Sequence, residues 1–185
     1  MVRSNFLKPS LIASLLIASA GAVAFCFLTL DRRDAFFGSL LAVAALVVAA
    51  VDVERFEIPD LANVLILLAG LTWQVWGHVD DMVAALLRCA VAAGLLLLVR
   101  GFYRRWRQVE GLGLGDVKLA GAGAVWLDWS QMWFALAVAA GGAALLVLGR
   151  RLGLKEPILH DTALPFGAFL APAIWIAWIV QMTVS

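Results

Sequence analysis

Apolar runs of roughly 17 to 20 residues recur along this chain, and they constrain its fold more than any other feature. A helix rises about 1.5 Å per residue, so such a run crosses the ~30 Å hydrocarbon core of a bilayer with little to spare. Inside hydrocarbon every backbone N–H and C=O must be satisfied within the protein, which leaves helices as the solution for runs this long. They are Leu11–Leu30, Ala35–Val51, Leu61–Gly77, Met82–Val99 and Met132–Gly149, with a shorter run at Val117–Leu127 and a last one from Leu164 to about Val180. An all-α, polytopic bundle of seven spans is expected. It forms a single membrane domain over residues 1–185, because no internal repeat or low-complexity linker divides it.

Composition agrees. The chain is 64% hydrophobic and 15% charged with mean hydropathy +0.96, against roughly 25% charged residues in soluble domains. A net charge of +1 supplies no basic field, which removes nucleic acid as a partner. Cys26 and Cys89 sit within apolar runs without a CxxC pair, so they read as small buried hydrophobes rather than zinc ligands or a disulfide. The first run exceeds the roughly 7–15 apolar residues of a signal peptide, and an uncleaved first span is expected.

The placement of charge orients the bundle. With the N-terminus inside, Arg3, Lys8, Arg55, Arg100, Arg104, Arg105, Arg107, Lys118, Arg150, Arg151 and Lys155 face the cytoplasm, eleven of the fourteen basic residues. Arg32 and Arg33 fall outside, and Arg88 lies within a span one heptad after Asp81, on the same helical face, where it can snorkel to that carboxylate. Arg100–Gln108 reads as a cytoplasmic loop against anionic lipid, and Trp73 and Trp76 as interfacial belt residues.

Two carboxylates stand out at the ends of apolar runs. Asp116 closes the glycine-alternating stretch Gly111-Leu112-Gly113-Leu114-Gly115-Asp116, and Asp52 lies 64 positions earlier (116 − 52) at the end of the second run. The predicted topology places both on the cytoplasmic side. A carboxylate at the edge of hydrocarbon is costly unless it has a function. Glycines at alternate positions permit positive φ or close approach of a neighbouring element. Two carboxylates sharing a site hold one proton between them, which suits peptide hydrolysis: the ionised member takes a proton from water and the protonated member donates to the scissile carbonyl. Such a pair requires no metal or cofactor, and there is no HExxH, no partner for His78 or His160 at helical spacing, and no GxSxG elbow.

Three segments carry a resemblance. Asp52-Val53-Glu54-Arg55-Phe56-Glu57-Ile58-Pro59-Asp60, Glu110 through Leu119 with its Gly-Asp-Val-Lys-Leu ending, and Leu164-Pro165-Phe166-Gly167 occur in this order. Together the chain resembles the bacterial type IV prepilin peptidases, membrane aspartyl proteases of the GxGD class. The resemblance implies Asp52 and Asp116 as the catalytic aspartates, with Pro59, Gly113, Gly115, Lys118, Pro165, Phe166 and Gly167 as supporting motif residues. It also implies a multi-pass protein of the bacterial inner membrane that removes the leader of prepilins or pseudopilins at the cytoplasmic face, after a Gly and ahead of an apolar helix. Larger family members carry an insert with two CxxC pairs after the first span and also N-methylate; Leu30 to Phe36 leaves no room for it, so a peptidase-only short form is expected. Lys118 has no assigned role beyond the motif, lipid phosphate being its plainest partner. The rival readings are a presenilin-type GxGD protease, which pairs its motif with Tyr-Asp and Pro-Ala-Leu, a transporter or channel subunit, whose carboxylates would lie near the midplane, and a non-catalytic assembly or anchor protein.

Overall fold

The computed structural model describes residues 9–77, 79–107, 112–154 and 164–184. The readings above that involve Arg3, Lys8, His78, Gln108, Glu110, Gly111, Lys155 and His160 lie outside the described residues. Within them the elements are α1 (Pro9–Thr29), α2 (Arg32–Arg55), α3 (Asp60–Gly77), a 3-10 turn (Val79–Asp81), α4 (Met82–Arg107), α5 (Leu114–Ala124), α6 (Trp129–Leu154) and α7 (Gly167–Val184). All of the helices except α5 are long and apolar enough to cross a membrane, six in total. The all-α polytopic bundle is as expected, but the number of full spans is corrected: the 11 residues of α5 rise only about 16 Å.

Two boundaries also differ. α2 continues one turn past its apolar run, so Asp52 lies inside the last helical turn and the polar turn begins only at Phe56. The basic stretch expected as a loop continues α4 as far as Arg107. Arg is a good helix former and no proline interrupts, so the change in composition at Arg100 marks a polarity boundary and not a helix end.

Small residues let the bundle close. α5 is enclosed by α3, α4 and α7, while α2 packs on α1, α3 and α7, and α6 on α7. A Cβ at Gly121 would sit 3.3 Å from Ala93 of α4, and one at Gly123 only 2.3 Å from Ile174 of α7. In lipid, where helix association relies on close van der Waals contact, this is the use small residues are put to. α1 packs mainly on α2 and reaches α7 through Phe25, whose ring centroid lies 6.5 Å from that of Trp175.

The tryptophans correct another expectation. Trp73 is buried and stacks on Trp126 with centroids 5.9 Å apart and planes 13° apart, and Trp178 meets both edge-on. Of the two residues expected in the belt, Trp76 alone is exposed. The buried Trp178 Nε1 has no partner among the described residues, but the other two of the three indole N–H groups find acceptors, Trp73 donating to Asp34 Oδ1 at 2.9 Å and Trp126 to the Ile66 carbonyl at 3.0 Å. The turn after α5 is satisfied similarly. Gln74 Nε2 donates to the Val125 carbonyl at 2.8 Å, and Gln181 Oε1 accepts from the Asp128 N–H at 2.7 Å. Non-helical backbone at depth thus has partners supplied by α3 and α7. Arg88 pairs with Asp81 at 2.7 Å as its spacing predicted, its side chain almost fully buried. Cys26 is buried, Cys89 half-buried, and both are free thiols.

Candidate active site

Four segment ends meet at one end of the bundle: the last turn of α2, the turn into α3, the first turn of α5 and the start of α7. Between the first three lies a cavity of about 480 Å³ lined by Asp52, Phe56, Glu57, Ile58, Pro59 and Asp60 on one wall and by Gly113, Leu114, Gly115, Asp116 and Lys118 on the other. The chain therefore brings together both candidate aspartates with Pro59, Gly113, Gly115 and Lys118. A second cavity of about 340 Å³, between α2 and α3, is lined only by apolar side chains such as Val47, Ala62 and Trp126, and offers no chemistry.

Asp52 is 4% exposed and its Oδ2 accepts the Ala168 N–H at 2.8 Å. The donor is one of the free N–H groups of the first turn of α7, where the helix dipole also favours an anion. This gives the late Pro165-Phe166-Gly167 motif a physical role. Pro165 is buried and Phe166 half-buried, neither lining the cavity, and the Phe166 carbonyl accepts the first helical bonds from Phe169 and Leu170, each 3.0 Å. Gly167 then passes so close to the site that a Cβ there would stand 2.5 Å from Ile58 Cδ1 and 3.1 Å from Asp52 Oδ2. α2 ends just beyond Asp52 on Phe56, which adopts φ 55 and donates its N–H to the Asp52 carbonyl at 2.9 Å. A left-handed phenylalanine is strained by about 1–2 kcal/mol, a kind of strain that clusters at functional sites.

Asp116 is 8% exposed, at the third position of α5. Its Oδ2 accepts the Gly113 N–H at 3.2 Å, which is half of a capping box, glycine having no side chain to return the bond. Its Oδ1 is buried and has no partner among the described residues. Burial first, and then the Asp52 carboxylate, push the Asp116 carboxyl from an ordinary 3.8 up to about 6, while the N–H groups of Gly113 and Gly167 pull the other way. The two acids thus sense each other across the cavity.

The glycines serve close approach. Among the described residues none has positive φ, but a Cβ at Gly115 would meet Ile58 Cβ at 2.9 Å. Ile58 is wedged between Gly115 and Gly167, a role its sequence position did not reveal. Asn63 also escaped the sequence reading; it donates to the Gly115 carbonyl at 3.4 Å. Lys118 pairs with Asp60 at 2.7 Å, a protein partner in place of the expected lipid phosphate. Among the described residues no group of three or more His, Cys, Asp or Glu side chains is placed to hold a metal ion.

Fold and site define a class, a polytopic helical membrane protein with a carboxylate-lined cavity at one end of its bundle. Residues 39–148, more than half of the chain, match the type IV leader peptidase family, and the chain belongs to that family. It is 33% identical over 157 residues to a prepilin leader peptidase/N-methyltransferase of Burkholderia pseudomallei, covering 83% of this chain and 48% of the relative. It is 33% identical over 125 residues to leader peptidase HopD of Escherichia coli, covering 66% of this chain and 78% of that protein. An Aeromonas hydrophila prepilin leader peptidase/N-methyltransferase is 27% identical over 127 residues, covering 69% of this chain and 43% of its own. The chain thus spans about half the length of the peptidase/N-methyltransferases it matches. No solved structure matches it.

Proposed function

We propose that this protein is a membrane aspartyl endopeptidase that removes the leader of a prepilin or pseudopilin, with Asp52 and Asp116 as its catalytic pair. The observation that carries the reading is the arrangement of two buried carboxylates from distant helices, lining one cavity, each anchored by a backbone N–H. Asp116, whose buried Oδ1 has no partner among the described residues, carries the shared proton; Asp52, whose ionised form the Ala168 N–H favours, is the base. A water between them gives a proton to Asp52 as its oxygen attacks the scissile carbonyl carbon, and Asp116 protonates the carbonyl oxygen. Collapse of the resulting gem-diol breaks the C–N bond: the departing nitrogen takes the proton held by Asp52, and one gem-diol hydroxyl returns its proton to Asp116, restoring the starting pair.

Family membership supports the substrate class, since relatives are named for prepilin leaders. The distribution of basic residues supports an N-terminus inside and a cavity open to the cytoplasm from the inner membrane. α1 ends at Thr29 and α2 starts at Arg32, a junction with no space for an inserted domain, which supports leader removal without methylation. Co-expression with prepilins of the same genome tests this, scoring leader loss by intact mass. Processing that depends on this protein supports the reading, and unprocessed prepilins throughout overturn it.

A further inference from the structure

Asp52 and Asp116 belong to helices that share little direct contact; α3 and α7 lie between α2 and α5 and transmit their relative position. The far end of α5 is fixed to α3 by Trp126 and Gln74, through the Ile66 and Val125 carbonyls. At the near end, where Asp116 sits, the ties are the Asn63 bond to Gly115, the Ile58 contact, and Lys118 Nζ to Asp60 Oδ1 at 2.7 Å. Both members of that ion pair line the cavity, Asp60 on the α2–α3 wall and Lys118 on the α5 wall.

We propose that the Asp60–Lys118 ion pair is a latch across the mouth of the cavity that sets the register of the first turn of α5 against the α2–α3 turn, and so the separation of the two aspartates. Both are positioning residues; neither touches the reacting atoms. Their side chains are 72% and 51% exposed, and an ion pair so open to water adds little to global stability. Its consequence is geometric. Lys118 lies two positions after Asp116 and so leaves the helix on a different side; while Asp116 faces the cavity interior, Lys118 reaches over its rim. A misplacement of reacting groups by even 1 Å is costly to rate, so a latch that matters little to folding can matter much to turnover.

The inference rests on the leader-peptidase reading of the cavity, and its test has one arm that needs no cleavage. With Cys26 and Cys89 replaced by Ala, spin labels on Glu57→Cys and Leu114→Cys, both exposed and on opposite walls, report the wall-to-wall distance by pulsed electron resonance. A distribution that broadens or shifts in Lys118→Gln and in Asp60→Asn, and returns in the charge-exchanged double variant Asp60→Lys/Lys118→Asp, is expected. On prepilin substrate, Lys118→Gln lowers kcat about tenfold with KM within about twofold, Lys118→Arg retains most activity, and the exchanged pair recovers most of the loss. An unchanged distance distribution overturns the latch whether or not a substrate has been found. So does a raised KM at unchanged kcat, which would make Lys118 a substrate contact. A wild-type protein that cleaves no prepilin while the labelled walls still move refutes the peptidase reading and leaves the latch standing.

Discussion

The backbone N–H of Ala168 donates to Asp52 Oδ2 at 2.8 Å, joining the first turn of α7 to the last turn of α2 across 116 positions of sequence. One end of that bond is a candidate catalytic carboxylate and the other belongs to a helix start whose approach is possible only because residue 167 has no side chain. Three sequence motifs far apart in the chain are therefore one physical object. The first supplies an acid and the Ile58 wedge, the second supplies an acid beside a glycine that fits the wedge, and the third supplies the donor.

Gly115→Ala puts a methyl group 2.9 Å from Ile58 Cβ, an atom that cannot move without its backbone. Activity on prepilin is expected to fall about 10- to 100-fold through displacement of Asp116, with expression and helix content retained. Gly141→Ala, whose added Cβ meets nothing within 4 Å, is the control and leaves turnover unchanged. Equal turnover by both variants would remove the wedge from the account.

The pH profile follows from Asp116. Its carboxyl is raised to about 6 by burial and then by the Asp52 charge, so it is protonated below that value and loses its proton above it. The mechanism needs the protonated form, so kcat/KM declines as pH rises through about 6, approaching tenfold per unit beyond it. Rates measured on one peptide across pH 4 to 9 check this, and a profile still rising above pH 7 would contradict it.

Arg88 lies almost fully buried against the half-exposed carboxylate of Asp81, with its Nε unpartnered among the described residues. Removing only the carboxylate strands the cation, so Asp81→Ala is expected to destabilise by about 1–3 kcal/mol. Arg88→Met removes the charge that needed a partner and costs less. Unfolding in detergent ranks the two, and the reverse order would show that the pair is not a buried liability.

Much of this fold was legible because hydropathy reports the cost of placing backbone and charge in lipid. The six long helices follow from run length, and the Arg88–Asp81 pair from a spacing of seven on one helical face. The tryptophan cluster was not legible. Interfacial preference predicts an edge position for Trp73, and only the tertiary placement of the half-buried Asp34 gives its indole N–H an acceptor. The extent of α4 was hidden because charge marks the water boundary while helix continues past it. Asp52 and Asp116 stood out as isolated acids beside apolar runs. Ile58, Asn63 and the Asp60 partner of Lys118 did not, since their roles depend on contacts between residues 52 to 109 positions apart.

An aspartate pair activates water without a metal, so EDTA added to purified enzyme is expected to leave the cleavage rate unchanged. Loss of activity on chelation, restored by a divalent cation, would indicate a different chemistry at this cavity.

The most direct measurement is the intact mass of a prepilin co-expressed with the wild-type protein, with Asp52→Asn, or with Asp116→Asn. Each substitution keeps the shape of the side chain and deletes either the base or the shared proton site, so processing is expected to fall at least 10³-fold, to undetectable leader loss, against complete loss with wild type. Near-normal leader removal by a well-expressed Asp52→Asn or Asp116→Asn protein would contradict the paired-aspartate mechanism outright.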